Sequence, residues 1–265
     1  MFETFGFVEQ RIIVTGCSSG IGREVARLLV DAGAQVYGMD HAACDLPLAS
    51  FHRVDLRFQA QIDGALGAIG GAVHGLFYCA GLPPMRPAID VMKVNFLALR
   101  HMCDRLIDHM PSGGSIVGVG SNGGGEWRNR ISLIQGLLEA DSFETGAQWC
   151  EAQGEGMGHA YRFSKEVLAV WTMQNSARTI ARGIRLNCTS PGAVETPMLD
   201  EIATVAPVAA IDAVVRPIGR RSTPTEQAWP ILFLGSALAR YINGIDLPVD
   251  GGFRAGQWTR PVEWE

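Results

Sequence analysis

The chain has 265 residues, 47% of them hydrophobic, with 22 Lys and Arg against 27 Asp and Glu for a formal net charge of −5. That length and apolar content suffice for one large α/β domain with a sizeable core, and the acidic balance without a basic run excludes a nucleic-acid binder as the working expectation. The apolar runs are too short and broken to span a bilayer, and Met1-Phe2-Glu3-Thr4 lacks a basic region followed by an apolar stretch, so neither membrane insertion nor a signal peptide is expected.

In chain order, Arg11–Thr15 reads as a short buried strand, and residues 21–32 follow with helical periodicity that Gly33 stops. A second strand covers 35–39 and a third ends at Val54-Asp55-Leu56. Helix at 60–69, strand at 75–79, helix at 89–109 and strand at 115–119 continue the alternation. A long helix at 160–182, a strand at 184–188, a helix at 227–234 and a last strand at 244–249 complete it. Alternating helices and near-continuous apolar strands predict a single-domain, Rossmann-like, doubly wound parallel sheet covered on both faces. One stretch breaks the rhythm: residues 122–159, with two short helices expected at 131–140 and 142–151 and with Trp127, Phe143, Trp149 and Met157 along it. An insertion this long that keeps apolar residues must cover substrate, a partner subunit or the body of the domain.

The loop Thr15-Gly16-Cys17-Ser18-Ser19-Gly20-Ile21-Gly22 follows a strand and opens a helix. Glycines allow a tight turn and close approach of a pyrophosphate, and the helix N-terminus offers N–H groups to it. Gly16, Ser18, Ser19, Gly20, Ile21 and Gly22 are therefore cofactor candidates. Asp40 ends the second strand, eighteen positions after Gly22. A carboxylate there accepts hydrogen bonds from both adenosine ribose hydroxyls and repels a 2′-phosphate, and neither Ser19 nor His41 offers a fixed cation, so NAD is expected over NADP. Asp55 and Leu56 are placed to frame the adenine, although Asp55 equally suits capping of the helix that follows.

Tyr161 and Lys165 lie one helical turn apart on one face. A tyrosine with its ordinary pKa of about 10 is a poor acid or base at neutral pH, and a neighbouring ammonium favours its phenolate. Downstream of a nucleotide loop, the pair points to redox chemistry on an alcohol or ketone. Ser121 and Thr196 also read as turn or helix caps, Asn95 as a helix residue bonding to nearby backbone, and His159 as a loop residue.

These residues, with Cys79-Ala80-Gly81, Asn95 in Lys-Val-Asn-Phe, Ser121 after Ile-Val-Gly-Val-Gly, Pro191-Gly192-Ala-Val194-Glu-Thr196-Pro197 and Val249-Asp250-Gly251-Gly252, resemble the short-chain dehydrogenase/reductase family over nearly the whole chain. The resemblance implies that Tyr161 is the acid/base, that Lys165 lowers its pKa and holds the nicotinamide ribose, and that Ser121 bonds the substrate oxygen. It implies further that Asn95 holds a water leading from Lys165 to solvent, and that Ala80, Gly81, Pro191, Gly192, Val194 and Thr196 contact NAD. Two departures stand out. Cys79 replaces the usual Asn, so no role is carried to it, and Tyr161 comes forty positions after Ser121, where the family keeps a shorter connection.

The long insertion and Gly125-Glu126-Trp127 resemble the branch of bacterial coniferyl-alcohol dehydrogenases and 3α-hydroxysteroid dehydrogenases/carbonyl reductases. That implies an apolar aryl or polycyclic alcohol or ketone as substrate, with a broader hydroxysteroid/carbonyl specificity as the alternative. The segment 197–216 is expected to form an apolar lid, and Trp127, Trp149 and Met198 to shape the pocket together with Ser121. A homotetramer or homodimer is implied, the insertion being placed to cover the usual tetramer face and leave a dimer through the C-terminal helix and strand. A non-catalytic dinucleotide-binding regulator is the reading from another class, opposed by the intact Asn95, Ser121, Tyr161 and Lys165. The six cysteines form no CxxC and do not cluster with histidines, so no metal site and a reducing cytoplasm are expected.

Overall fold

Short apolar strands that are buried along nearly their whole length can only be central strands of a sheet with both faces covered. A computed structural model, which describes residues 2–259, arranges them so. The strands are β1 Arg11–Thr15, β2 Gln35–Asp40, β3 Ser50–Arg53, β4 Gly75–Tyr78, β5 Ser115–Val119, β6 Arg185–Pro191 and β7 Asp246–Val249. They form one seven-stranded sheet in the order β3-β2-β1-β4-β5-β6-β7, with every neighbouring pair parallel. The strand order reverses between β1 and β4, which opens a crevice at the carboxyl ends of the strands.

Alternation along each strand divides the core into two layers. Ile12, Val14, Phe77 and Val117 face one side, where Val25, Ala26, Leu28 and Leu29 of α1 (Gly20–Asp31) and Ala228, Ile231 and Leu232 of α10 (Pro224–Gly235) cover them. Ile13, Leu76, Tyr78 and Ile116 face the other. There they meet α2 (Gln59–Ile69), α3 (Ala88–Met92), α4 (Ala98–Leu106) and α7 (Ala160–Ile180). The 89–109 run is not one continuous helix: a π turn at Lys93–Leu97 separates α3 from α4 and seats Asn95 fully buried.

The insertion forms α5 (Ile131–Leu138) and α6 (Phe143–Gln153), the latter opened by a reciprocal Ser142–Thr145 capping box. α5 packs onto α7, and α6 onto α3, the π turn and α4. Ile134, Leu137, Phe143, Ala147, Cys150 and Met157 join the core there. Arg100 of α4 donates to the Ala140 carbonyl at 2.7 Å and to that of Ser142. Arg130 pairs at 3.0 Å with Glu166, which is completely buried. Of the three things the insertion was expected to cover, these contacts identify the body of the domain.

The apolar lid segment contains two short helices, α8 (Pro197–Ala203) and α9 (Val208–Ala213). A last helix, α11 (Phe253–Thr259), was not expected from the sequence, since seven residues after a Gly-Gly turn carry too little periodicity to register. No helix among the described residues is long and apolar enough to cross a membrane.

Candidate active site

The crevice between β1 and β4 is a cleft of about 520 Å³. It is bordered by all of the expected cofactor residues: Gly16, Ser18, Ser19, Gly20, Ile21, Gly22, Asp40, Asp55, Leu56, Ala80, Gly81, Pro191, Gly192, Val194 and Thr196. Ser121, Tyr161, Lys165 and Met198 border it as well.

The glycine loop is built for close approach. Gly16 has φ +72°, and a Cβ there would come within 2.8 Å of the Ala80 nitrogen; a Cβ on Gly22 would lie 2.2 Å from the Gly16 oxygen. Ser19 occupies the N-cap of α1 in an extended conformation, yet its side chain does not cap the helix, so the first turn's N–H donors face the cleft. A small, glycine-cradled cleft that ends on an uncapped helix N-terminus fits a pyrophosphate. Asp40 is buried at the far end. Its two oxygens accept from Ser18 N and Ala42 N, each at 3.0 Å, and His41 lies 3.1 Å away. Each oxygen keeps a lone pair for a ribose hydroxyl. Asp55 caps the following turn through Arg57 N at 3.0 Å and also borders the cleft. Arg57 binds Asp55 at 2.6 Å and Asp90 at 3.0 Å, and the first of these contacts holds the Asp55 carboxyl below its usual range.

At the other end stand the reacting groups. Ser121 follows β5, and its Oγ accepts from Gly123 N at 3.2 Å, so the residue caps a short turn and borders the cleft at once. Tyr161 is half-buried. Burial pushes its phenol above the ordinary value, and a hydrogen bond with Ser121 partly opposes this. Lys165 is buried, donates to the Val119 carbonyl at 2.9 Å, and sits 5.7 Å from the centroid of the Tyr161 ring. Burial pulls its ammonium down to about 8, against the opposing influence of Cys188 and Cys79. Burial, and not the Lys165 charge, sets the direction of the Tyr161 shift in this geometry, where the ammonium lies beside the ring and bonds to backbone.

Three other expectations change. Asn95 does not border the cleft. Its Oδ1 accepts from Leu82 N at 2.7 Å, and its Nδ2 donates to the Leu82 carbonyl and Ser164 Oγ, each at 3.2 Å, so it clamps the loop after β4 to α7. Trp127 and Trp149 do not reach the cleft either. Trp149 stacks on Phe163 with centroids 6.1 Å apart, and both tryptophans pack against the core beneath the insertion. Sequence reading placed them at the substrate because it could not tell which surface the insertion covers. Thr196 caps α8, accepting from Leu199 N at 3.3 Å, and borders the cleft. Leu199 and Ile202 of the expected lid join Met198 on an apolar wall of the cleft; Leu82 and Arg86, which ties to Glu201 of α8 at 2.6 Å, were not singled out from the sequence. Only the apolar content of the lid signalled Leu199 and Ile202. Cys79 borders the cleft as a neutral thiol, pushed up to about 12 by burial. Among the described residues no group of three or more His, Cys, Asp or Glu is placed to hold a metal ion.

The chain matches the family model described as short chain dehydrogenase over residues 10–132 and that described as Enoyl-(Acyl carrier protein) reductase over residues 148–254. It is 36% identical to a coniferyl-alcohol dehydrogenase of Pseudomonas sp. (strain HR199 / DSM 7063), covering 92% of this chain and 96% of that protein. The chain belongs to the short-chain dehydrogenase/reductase family. This short-chain dehydrogenase is also 32% identical to the 3-alpha-hydroxysteroid dehydrogenase/carbonyl reductase of Comamonas testosteroni, over 92% of this chain and 96% of the relative. The crystal structure of the 3-alpha-hydroxysteroid dehydrogenase from Pseudomonas sp. B-0831 complexed with NADH is similar at 30% identity. Its TM-score is 0.80, with 96% of this chain and 100% of that chain covered. The protein is an oxidoreductase of the dehydrogenase type, and its Rossmann-like fold is that of its structural relatives.

Proposed function

We propose that the protein interconverts an apolar alcohol and its carbonyl compound using NAD, with Tyr161 as the acid/base. The observation that carries this reading is that Ser121, Tyr161 and the buried Lys165 border the same cleft as the uncapped N-terminus of α1. The bound dinucleotide supplies the hydride acceptor or donor. The α1 N-terminus holds its pyrophosphate, Asp40 its adenosine ribose, Lys165 its nicotinamide ribose, and Thr196 with the Val194 backbone its carboxamide. Tyr161 takes the hydroxyl proton during oxidation and returns it during reduction, while Ser121 donates to the substrate oxygen as charge develops there. Lys165, pulled down to about 8 by burial, is still largely charged at neutral pH and keeps a positive charge beside the Tyr161 ring, where it favours the phenolate.

The substrate end is lined by Leu82, Met198, Leu199 and Ile202, a wall suited to an aryl or polycyclic body. The similarity to coniferyl-alcohol and hydroxysteroid dehydrogenases supports that class. The NADH-bound steroid relative, with Asp40 here at the ribose position, supports NAD over NADP. Six free thiols suit a reducing cytoplasm.

The test is NADH formation, followed by absorbance, over aryl allylic alcohols, 3-hydroxysteroids and small secondary alcohols. Turnover should appear for the bulky classes, and Tyr161→Phe should lower kcat/KM by roughly 10²–10⁴-fold. Turnover that survives in Tyr161→Phe refutes the mechanism, and turnover restricted to small polar alcohols refutes the substrate class.

A further inference from the structure

Arg254 is among the largest fully buried side chains of the protein, and none of the chemistry above uses it. It enters from α11, whose start is shaped by the turn Asp250-Gly251-Gly252: Asp250 Oδ1 accepts from Gly252 N at 3.0 Å and Oδ2 from Arg254 N at 2.9 Å. From there the guanidinium reaches across the sheet end. Nη1 donates to Asp246 Oδ2 at 2.6 Å, and Nη2 donates to the backbone carbonyl of Ser121 at 3.1 Å. The other Asp246 oxygen accepts from Ser190 Oγ at 2.6 Å. Nε finds no acceptor among the described residues and lies against Gly125, where a Cβ would come within 2.8 Å of it.

The network thus links three chain segments at the carboxyl end of the sheet. Ser121 borders the cleft beside Tyr161, Ser190 immediately precedes the Pro191-Gly192 wall of the cleft, and Asp246 lies on β7. Among the described residues, the Ser121 carbonyl is otherwise held only by Gly124 N, at 3.0 Å and within its own turn. Resting on the function proposed above, we propose that Arg254 is a positioning residue: its charged fork, fixed by Asp246, holds the Ser121 backbone so that Oγ points at the reacting oxygen. A planar guanidinium is required because two acceptors, one on β7 and one in the turn after β5, must be met at once; a lysine ammonium has no second arm in that plane. A displacement of about 1 Å at a reacting group is enough to cost about 10²-fold in rate.

The experiment compares Arg254→Lys, Arg254→Met, Asp246→Asn, Ser121→Ala and the double variant Ser121→Ala/Arg254→Met. The measurements are kcat for alcohol oxidation, the Kd for NADH by fluorescence titration, and thermal unfolding. Arg254→Met should lower kcat by about 10–10²-fold, with Arg254→Lys and Asp246→Asn lowering it less. NADH affinity should stay within about twofold of the parent, because the loss is in the reacting geometry. In the Ser121→Ala background the same Arg254 change should cost under about threefold, since the group it positions is gone. An equal loss in both backgrounds overturns the proposal, as does unchanged kcat in a folded Arg254→Lys or Asp246→Asn protein. If Arg254→Met does not fold, those two variants, each combined with Ser121→Ala, decide the matter. Full turnover in Ser121→Ala and Tyr161→Phe would instead mark a failure of the functional reading itself.

Discussion

At Asp40, two backbone N–H groups hold a buried carboxylate at the end of β2, on the border of the cleft, where we propose that the adenosine ribose binds. A 2′-phosphate brought there meets a fixed negative charge in a partly desolvated site. The nearby Arg57 is already engaged by Asp55 and Asp90. Asp40→Ser should therefore reduce the preference for NAD over NADP by at least about tenfold, read as the ratio of kcat/KM values. Tyr161 gives a second prediction. Its phenol is raised by burial and lowered by Ser121, so removing that partner in Ser121→Ala should move it further up. A general base works in its deprotonated form, so alcohol oxidation rises with pH toward the phenol's pKa. The inflection in kcat/KM should lie at higher pH in Ser121→Ala than in the parent, measured at saturating cofactor. Both residues were legible in the sequence because their chemistry depends on residue type and on position at the end of a strand or on a helix face. The direction of the Tyr161 shift was not. It depends on how much water the fold removes and on where the Lys165 ammonium finds its acceptor, which is the Val119 carbonyl.

The helices of the insertion show what pattern alone can tell about an element. Two short helices were expected there from the sequence, but nothing in the spacing said which surface they would cover. The structure lays them on α3, α4 and α7, with Trp149 stacked on Phe163 and close to Gly136, where a Cβ would come within 3.3 Å of its ring. Trp149→Ala should consequently lower thermal stability, by roughly 2–4 kcal/mol for a partly buried aromatic, and leave KM for bulky alcohols nearly unchanged. Met198→Ala on α8 should do the reverse, raising KM several-fold with little effect on unfolding, because Met198 borders the cleft. Calorimetry and steady-state kinetics on the two variants separate the roles. The π turn at Lys93–Leu97 belongs to the same scale. The residues there are ordinary helix formers, and the Asn95 clamp on Leu82 and Ser164 is a tertiary contact that no helical periodicity encodes.

For the whole molecule, the covered α4–α7 face and the exposed apolar residues Phe233, Leu238, Tyr241 and Ile245 bear on assembly. Tyr241 is fully exposed and Leu238 is half exposed, between α10 and β7. We propose that these residues belong to the dimer contact expected through the C-terminal elements. Leu238→Glu/Tyr241→Glu should convert a dimer to monomers in sedimentation equilibrium, and a parent protein that sediments as a monomer would refute the assignment. Across these scales the division has one physical basis. The parallel sheet, the glycine loop, Asp40, Ser121, Tyr161 and Lys165 were readable in the sequence because each rests on local geometry: a period of two, a helical turn, or a turn at a strand end. Contacts between residues distant in the chain were decided only by the tertiary structure. Arg254 reaches Ser121 across 133 positions, Arg130 reaches Glu166 across the insertion, and Trp149 turns inward to Phe163 instead of toward the cleft. Such contacts follow from which surfaces must be buried together, and no spacing along the chain records that choice.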